Sequence, residues 1–316
     1  MRKSRTMINL QIPDTVVMVR PLSFGYNEQT AGSNTFQSDQ EGIPDEIHRQ
    51  AVEEFNVLAS QLKSASVEVY IFDDNSKGDT PDSVFPNNWI SFHPDGSVVL
   101  YPMLAPNRRK ERRMDIPEAL RESFRLNRVI DLTGHEAENK FLEGTGSVVF
   151  DHINRVAYAN RSPRTNEELF NELCEVLGYE SCLFKAFDRS GKDIYHTNVL
   201  MNIGTEFAVL CTEAISDEDR SRVIGLLTDT SHQLVEINYM QMEHFAGNMI
   251  QLAGRTSKQN FLVMSDQAYQ SLREDQVDVL NHYNTILHTP LNTIEANGGG
   301  SARCMIAGVH LPRKKL

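Results

Sequence analysis

Asn88-Trp89-Ile90-Ser91-Phe92-His93-Pro94-Asp95-Gly96-Ser97-Val98-Val99-Leu100-Tyr101 reads as two short apolar runs folded back across a turn. Residues 88–92 and 97–101 have strand character, and Pro94-Asp95-Gly96 is the hairpin signal between them. A helix around residues 106–123 follows, then a strand at 128–131. This order of strand, strand, helix, strand recurs on both sides. Toward the N-terminus, residues 15–20 form a β-branched run, 44–64 carry apolar residues at helical spacing, and 67–72 return to a strand. Toward the C-terminus a third pass runs through 146–150, 155–159, 165–177 and 181–187, with Glu167 and Glu168 suiting a helix start after Thr165. A fourth uses 197–202, 206–211, 216–228 and 233–236. The last uses 248–252, 259–264, a helix within 265–283, and 285–288, before a closing strand beyond Gly300. Five similar units of roughly 45 to 60 residues without an identifiable linker predict one α/β domain over residues 1–316, a five-bladed pseudo-symmetric propeller of ββαβ units.

The chain has 316 residues, 40% hydrophobic and 23% charged, enough for a large core. Its formal charge of −12 argues against a nucleic-acid partner, since phosphate binding relies on clustered Lys and Arg. Of two basic islands, residues 108–113 mix with Glu111 and Asp115, so most of that island reads as a solvated helix face; the other is 313–315. No apolar run reaches about 18 residues, which predicts no membrane partner. The basic start Met1-Arg2-Lys3-Ser4-Arg5 lacks the apolar core of a signal peptide. Four cysteines form neither a disulfide framework nor a C-x-x-C set, which fits a reducing cytoplasm. Cys174, Cys182 and Cys211 lie in apolar stretches and read as small buried hydrophobes.

The fourth cysteine is different. Cys304 follows a glycine run in Gly298-Gly299-Gly300-Ser301-Ala302-Arg303-Cys304-Met305, where a tight turn can surround the sulfur with backbone N–H groups. Those donors and Arg303 would favour a thiolate nucleophile; the plainer alternative is a buried cysteine after a glycine-rich turn. A thiolate needs an acid/base and a group that orients it. His196 opens the fourth unit in Tyr195-His196-Thr197-Asn198, and Glu143 opens the third in Leu142-Glu143-Gly144-Thr145-Gly146. Phe85-Pro86-Asn87-Asn88-Trp89 opens the second. Taken singly, these read as a structural histidine, a loop acid and a turn cap. Their shared placement at unit starts, with Cys304 at the comparable end of the last unit, gathers them around the axis of a closed propeller.

The glycine-rich cysteine motif resembles the C-terminal nucleophile motif of arginine deiminases. Leu142-Glu143-Gly144 resembles their Glu-Gly-Gly-Asp segment, His196-Thr197-Asn198 their His-Leu-Asp, and residues 85–88 their Phe-Thr-Arg-Asp. Ala105-Pro106-Asn107-Arg108-Arg109-Lys110-Glu111 and Ser162-Pro163-Arg164-Thr165-Asn166 are similar to segments of dimethylarginine dimethylaminohydrolases. The ordered set spans residues 85–305 and identifies the guanidino-group-modifying superfamily, whose fold is the five-bladed α/β-propeller called the pentein. The resemblance implies that Cys304 attacks the guanidino or ureido carbon, that His196 is the acid/base and Glu143 its orienting partner. It implies that Arg108 and Arg164 bind the substrate carboxylate, bidentately. It implies no metal and no organic cofactor.

Two departures bear on the substrate. Where the deiminase motifs end in aspartates that clasp a cationic guanidinium, this chain has Asn88 and Asn198. Two carboxylates face a urea carbonyl with acceptors only, whereas an asparagine amide offers both a donor and an acceptor. Losing two nearby charges would cost a cationic substrate several kcal/mol and a urea nothing. With Phe245-Ala246-Gly247-Asn248-Met249, the pattern resembles the citrulline-utilisation hydrolase branch and implies hydrolysis of citrulline to ornithine, CO2 and ammonia through a covalent Cys304 intermediate. The alternatives are arginine deiminase, dimethylarginine dimethylaminohydrolase or amidinotransferase activity, or a non-enzymatic pentein binding module. A third departure, Gly146 in place of the family's fourth-position acid, leaves that acid's role without a carrier. The polar loop 25–42 reads as a lid, with Asn27, Asn34 and Gln37 as candidates to cap the substrate's α-amino end. The expected partner is a small amino acid, in a chain able to self-associate as a homo-oligomer.

Overall fold

The computed structural model describes residues 11–38, 43–76 and 79–314. The basic start Met1–Arg5, residues 39–42 of the first loop and Lys315 lie outside them. Strand β1 (Thr15–Arg20) is followed by a helical turn α1 (Glu28–Ala31), a long helix α2 (Pro44–Ser64) and strand β2 (Glu68–Asp73). Helix α2 buries Ala51, Phe55, Leu58, Ala59 and Leu62, a stripe at helical spacing that covers the first sheet. Its start has Pro44 in the first turn, where a missing N–H costs nothing.

The second unit is β3 (Ile90–Phe92), β4 (Ser97–Leu100), α3 (Asp115–Leu120) and β5 (Arg128–Asp131). The continuous helix expected over 106–123 is broken into a 3-10 turn at Arg108–Glu111 and α3. Pro117 explains the break: its ring would clash with the carbonyl four residues back, so it sits in the first turn of α3.

The third unit has α4 (Gly144–Ser147), β6 (Val148–Asp151), β7 (Val156–Asn160), α5 (Glu167–Leu177) and β8 (Glu180–Phe184). The cap of α5 is Asn166, one residue beyond the expected Thr165, and its side chain accepts from the Leu169 N–H at 3.1 Å. The fourth has β9 (Met201–Ile203), β10 (Phe207–Cys211), α6 (Asp217–Asp229) and β11 (Gln233–Ile237). The fifth has α7 (Tyr239–Glu243), β12 (Ile250–Ala253), β13 (Asn260–Ser265), α8 (Asp266–Ser271), α9 (Glu274–Tyr283) and β14 (Thr285–Thr289). Helix α10 (Asn292–Gly298) then leads to the two-residue strand β15 (Ala307–Gly308).

These strands form five three-stranded mixed sheets, the five-bladed α/β-propeller. In each, the first strand pairs antiparallel with the second, and the second parallel with the third across a helical connection. Among the described residues the first unit has no first strand of its own. β15 fills that place, pairing antiparallel with β1 (Val16 opposite Gly308, Val17 opposite Ala307), so two segments far apart in sequence build one sheet. Residues of β3, β6, β9, β12 and β15 together line a cavity on the central axis. Apolar faces between neighbouring sheets and their helices make the core, with Trp89, Tyr101 and Phe170 fully buried. Among the described residues no helix is long and apolar enough to cross a membrane.

Candidate active site

Helix α10 ends at Gly299 with φ +63°, a left-handed value that glycine adopts without strain. Side chains could not fit here. A Cβ on Gly299 would fall 2.5 Å from the Asn34 amide, and one on Gly300 would lie 2.9 Å from the Phe85 ring and 3.2 Å from Cβ of Cys304. The turn delivers Cys304, buried, into a small cavity of about 10 Å³. His196, Asn88, Arg108, Arg164, Asp82, Tyr195 and the three glycines line the same cavity.

The donors at the sulfur are not the backbone groups expected from the glycine run. The Cys304 N–H is spent on the Ser301 carbonyl at 2.9 Å, and the Arg303 N–H on Oδ1 of Asn248 at 3.1 Å. Two side-chain amides donate to Sγ instead: Nδ2 of Asn248 at 3.2 Å and Nδ2 of Asn198 at 3.4 Å. Cys174, Cys182 and Cys211 are buried as expected, with thiols pushed up by burial to about 12, 11 and 12, so they are inert.

Glu143 precedes α4 and accepts at both oxygens. Leu104 N–H reaches Oε1 at 3.0 Å; His196 Nε2 and Arg164 Nη1 reach Oε2 at 2.9 and 3.3 Å. Burial alone would raise the Glu143 carboxyl, but Arg164, His196 and Arg108 more than reverse this and hold it well below the usual carboxylate range. His196 is pushed down to about 4 by burial, with Glu143 opposing, so the free site holds a neutral imidazole at pH 7. A carboxylate only accepts, so Nε2 carries the ring proton and Nδ1 is left as a base. Nδ1 borders Gly146, where a Cβ would lie 2.7 Å from it and 2.5 Å from Nδ2 of Asn88. The fourth position of the Glu-Gly-Gly-Asp motif is therefore glycine here because the imidazole and an asparagine amide occupy its space.

The two asparagines present complementary atoms. Oδ1 of Asn88 accepts from Nη1 of Arg108 at 2.8 Å, and because a guanidinium only donates, the amide orientation is fixed with Nδ2 left unpartnered. Asn198 donates from Nδ2 to the sulfur, leaving its buried Oδ1 unpartnered. One free donor and one free acceptor thus stand near the nucleophile. Arg108 also makes a bidentate pair with Glu111, both bonds 2.9 Å, and donates to the Phe85 carbonyl at 3.3 Å. The island 108–113 is accordingly no solvated face: Arg108 is fully buried, Arg109 donates to the Met103 and Leu104 carbonyls, and Arg112 pairs with Glu136. Lys110 alone in it keeps the expected exposure.

Arg164 stacks its guanidinium 4.8 Å from the Tyr195 ring centroid and donates to Ser33 Oγ (2.7 Å from Nη2) and the Thr30 carbonyl (3.3 Å). Segment 27–38 is thereby laid across the cavity. Asn34 donates to the Gly298 carbonyl at 3.1 Å, and the Ser38 N–H to that of Ala296 at 2.8 Å. Asn27 donates to Oδ2 of Asp82 at 2.7 Å, and Gln37 accepts from Thr30 at 3.0 Å. Sequence reasoning missed Asp82, whose buried Oδ1 has no partner, and the roles of Asn248 and Tyr195. Asn248 could have been found, because it opens the fifth unit as Asn88 and Asn198 open the second and fourth. Asp82 carried no such signal among the acidic residues of its loop.

The model of a family described as eukaryotic N,N dimethylarginine dimethylhydrolase matches residues 20–311. No protein with a curated description matches the chain. Among solved structures, the N-terminal domain of ArgZ covalently bound to a reaction intermediate is 18% identical with a TM-score of 0.73, over 94% of this chain and 98% of that one. ArgZ is described as an arginine dihydrolase from the ornithine–ammonia cycle in cyanobacteria. Unliganded AgrE is 18% identical with a TM-score of 0.74, over 95% of this chain and 40% of that one. An adduct of dimethylarginine dimethylaminohydrolase with S-methyl-L-thiocitrulline is 16% identical with a TM-score of 0.65, over 96% of this chain and all of that one. These likenesses establish the pentein fold.

Proposed function

Since the chain belongs to the N,N dimethylarginine dimethylhydrolase family, and so to the hydrolytic enzymes of the guanidino-modifying superfamily, we propose that residues 1–316 act as one domain that hydrolyses the ureido group of citrulline. The observation that carries this reading is the unpartnered pair beside Cys304. Nδ2 of Asn88 is a donor fitted to a urea oxygen, and Oδ1 of Asn198 an acceptor fitted to its NH2. A guanidinium offers no acceptor to Asn88, which would leave that buried donor unmatched at a cost of about 1–3 kcal/mol.

The Cys304 thiol gives its proton to Nδ1 of His196 as sulfur bonds to the ureido carbon. The carbonyl π pair moves to oxygen, where Nδ2 of Asn88 stabilises the oxyanion. Glu143, ionised and hydrogen-bonded to Nε2, stabilises the imidazolium. On collapse the C–N bond breaks, and the imidazolium proton goes to the departing amine. Water, deprotonated by the neutral imidazole, then attacks the thioester-type carbon and releases sulfur as the leaving group. The carbamate so formed breaks down to CO2 and the remaining amine. Arg164 and Arg108 line the cavity as the cations available to a substrate carboxylate, and Oδ1 of Asp82 is the acceptor available to an α-ammonium.

Citrulline, arginine, dimethylarginine and agmatine, each assayed for ammonia and amine products, test the reading. Ornithine from citrulline alone is expected. Citrulline accumulating from arginine would overturn it in favour of deimination, and Cys304→Ala that retained turnover would remove the nucleophile.

A further inference from the structure

The axial cavity, lined by Arg303 but not by Cys304, has a volume of about 60 Å³. That is room for about four water-sized groups. Its lining joins Arg303 with His93, His152, His310, Asn202 and Gln251, and among the described residues contains no Asp or Glu, in a chain of net charge −12. Arg303 donates from Nη1 to the Ile306 carbonyl at 2.9 Å, and no carboxylate of the described residues pairs with it. Asn202 is 5% exposed, and both polar atoms of its amide lack a partner; so does Nδ1 of His93, 2% exposed. Buried amides are normally satisfied, and the half-buried Arg303 guanidinium keeps a charge that no carboxylate of the described residues offsets, so the cavity suits an occupant with acceptor atoms and negative charge. No group of three or more His, Cys, Asp or Glu among the described residues could hold a metal, which argues against a cation there.

The cavity also connects to the nucleophile. The Arg303 N–H donates to Oδ1 of Asn248, whose Nδ2 donates to Sγ of Cys304. We propose that the axial cavity binds a small monovalent anion between Arg303 and Asn202, and that its occupancy lowers the nucleophilicity of Cys304. The direction follows from charge. Arg303 carries a half-buried cation next in sequence to the cysteine, and its field favours the thiolate; an anion at its guanidinium offsets that field. Burial pushes the Arg303 guanidinium down to about 10, with the Cys304 sulfur opposing, in keeping with a cation short of a partner.

Bromide is the probe. Crystals of the whole chain soaked in sodium bromide are expected to show anomalous density in the axial cavity within hydrogen-bonding reach of Arg303. In solution, iodoacetamide alkylation of Cys304, read by mass on its peptide, is compared in bromide and in gluconate of equal ionic strength. Bromide should slow the parent protein about threefold to tenfold, saturably, and leave Arg303→Met unaffected. Asn202→Leu, which leaves the cysteine turn untouched, should weaken the response if Arg303→Met fails to fold. Absence of axial density, or equal slowing in parent and variants, would overturn the proposal. The site and its test require no turnover of citrulline, so they stand or fall apart from the substrate assignment.

Discussion

In the proposed reading Asn88 decides substrate charge, because the Arg108 guanidinium dictates which end of its amide faces the cavity. Asn88→Asp would leave only acceptors toward a urea oxygen. The expected result is a loss of citrulline turnover of about a hundredfold in kcat/KM, with a smaller loss of folding stability. Combined with Asn198→Asp, it should raise affinity for guanidines, measured by binding of arginine to the doubly substituted protein in a Cys304→Ala background. Asn248→Ala removes one of the two amides that donate to sulfur. The pH profile of Cys304 alkylation should move upward by about one unit, and Asn248→Asp should move it further, since a carboxylate cannot donate to a thiolate. At this scale the motifs were legible for Cys304, His196, Glu143, Asn88 and Asn198. The donors at the sulfur were not, because which side chains reach a cysteine depends on how neighbouring units dock, and the glycine run pointed to backbone groups that the turn in fact uses for itself.

Among the elements, α4 is short and carries a tight constraint. It packs Gly146 against both His196 and Asn88, so Gly146→Ala should lower kcat by about a hundredfold or more through displacement of the imidazole. Circular dichroism and melting temperature should change little, which separates this local effect from unfolding. Segment 27–38 lies across the cavity and is tied to it through Arg164 and Asn34. Ser33→Ala removes the hydroxyl that receives two Arg164 nitrogens and should increase amide exchange across 27–38 and raise KM more than kcat. The length and polarity of loop 25–42 set it apart in the sequence, and its described part does lie against the cavity. The broken helix after β4 was not read, although Pro117 stood in the sequence as the reason. Hydrophobic pattern located that helix, but backbone chemistry set its limits.

For the whole molecule, acid exposes how many imidazoles are sealed in. Burial pushes His93 down to about 3 and His196 to about 4, and lowers His152 well below 6.5. Below pH 6.5 each takes up a proton when unfolded but not when folded, so each costs stability as pH falls toward its folded value. Glu295, raised by burial to about 7, acts in the opposite sense, so the effect is read by difference. From pH 6.5 to 4.5, His93→Gln should gain on the parent by about 1.4 kcal/mol per pH unit, measured by urea denaturation. Five units and a closing strand were legible as a count, because each unit repeats one order of periodicities. That the last strand completes the first sheet could only come from three dimensions.

That closure has a consequence for folding. β1 and β15 lie far apart in sequence, so one edge of β1 stays bare until β15 docks on it. The long-range pairing is slow to form and leaves an interval open to self-association. The segment that ends in β15 also carries Cys304, so the docking that seals the ring is also what sets the cysteine turn in its place.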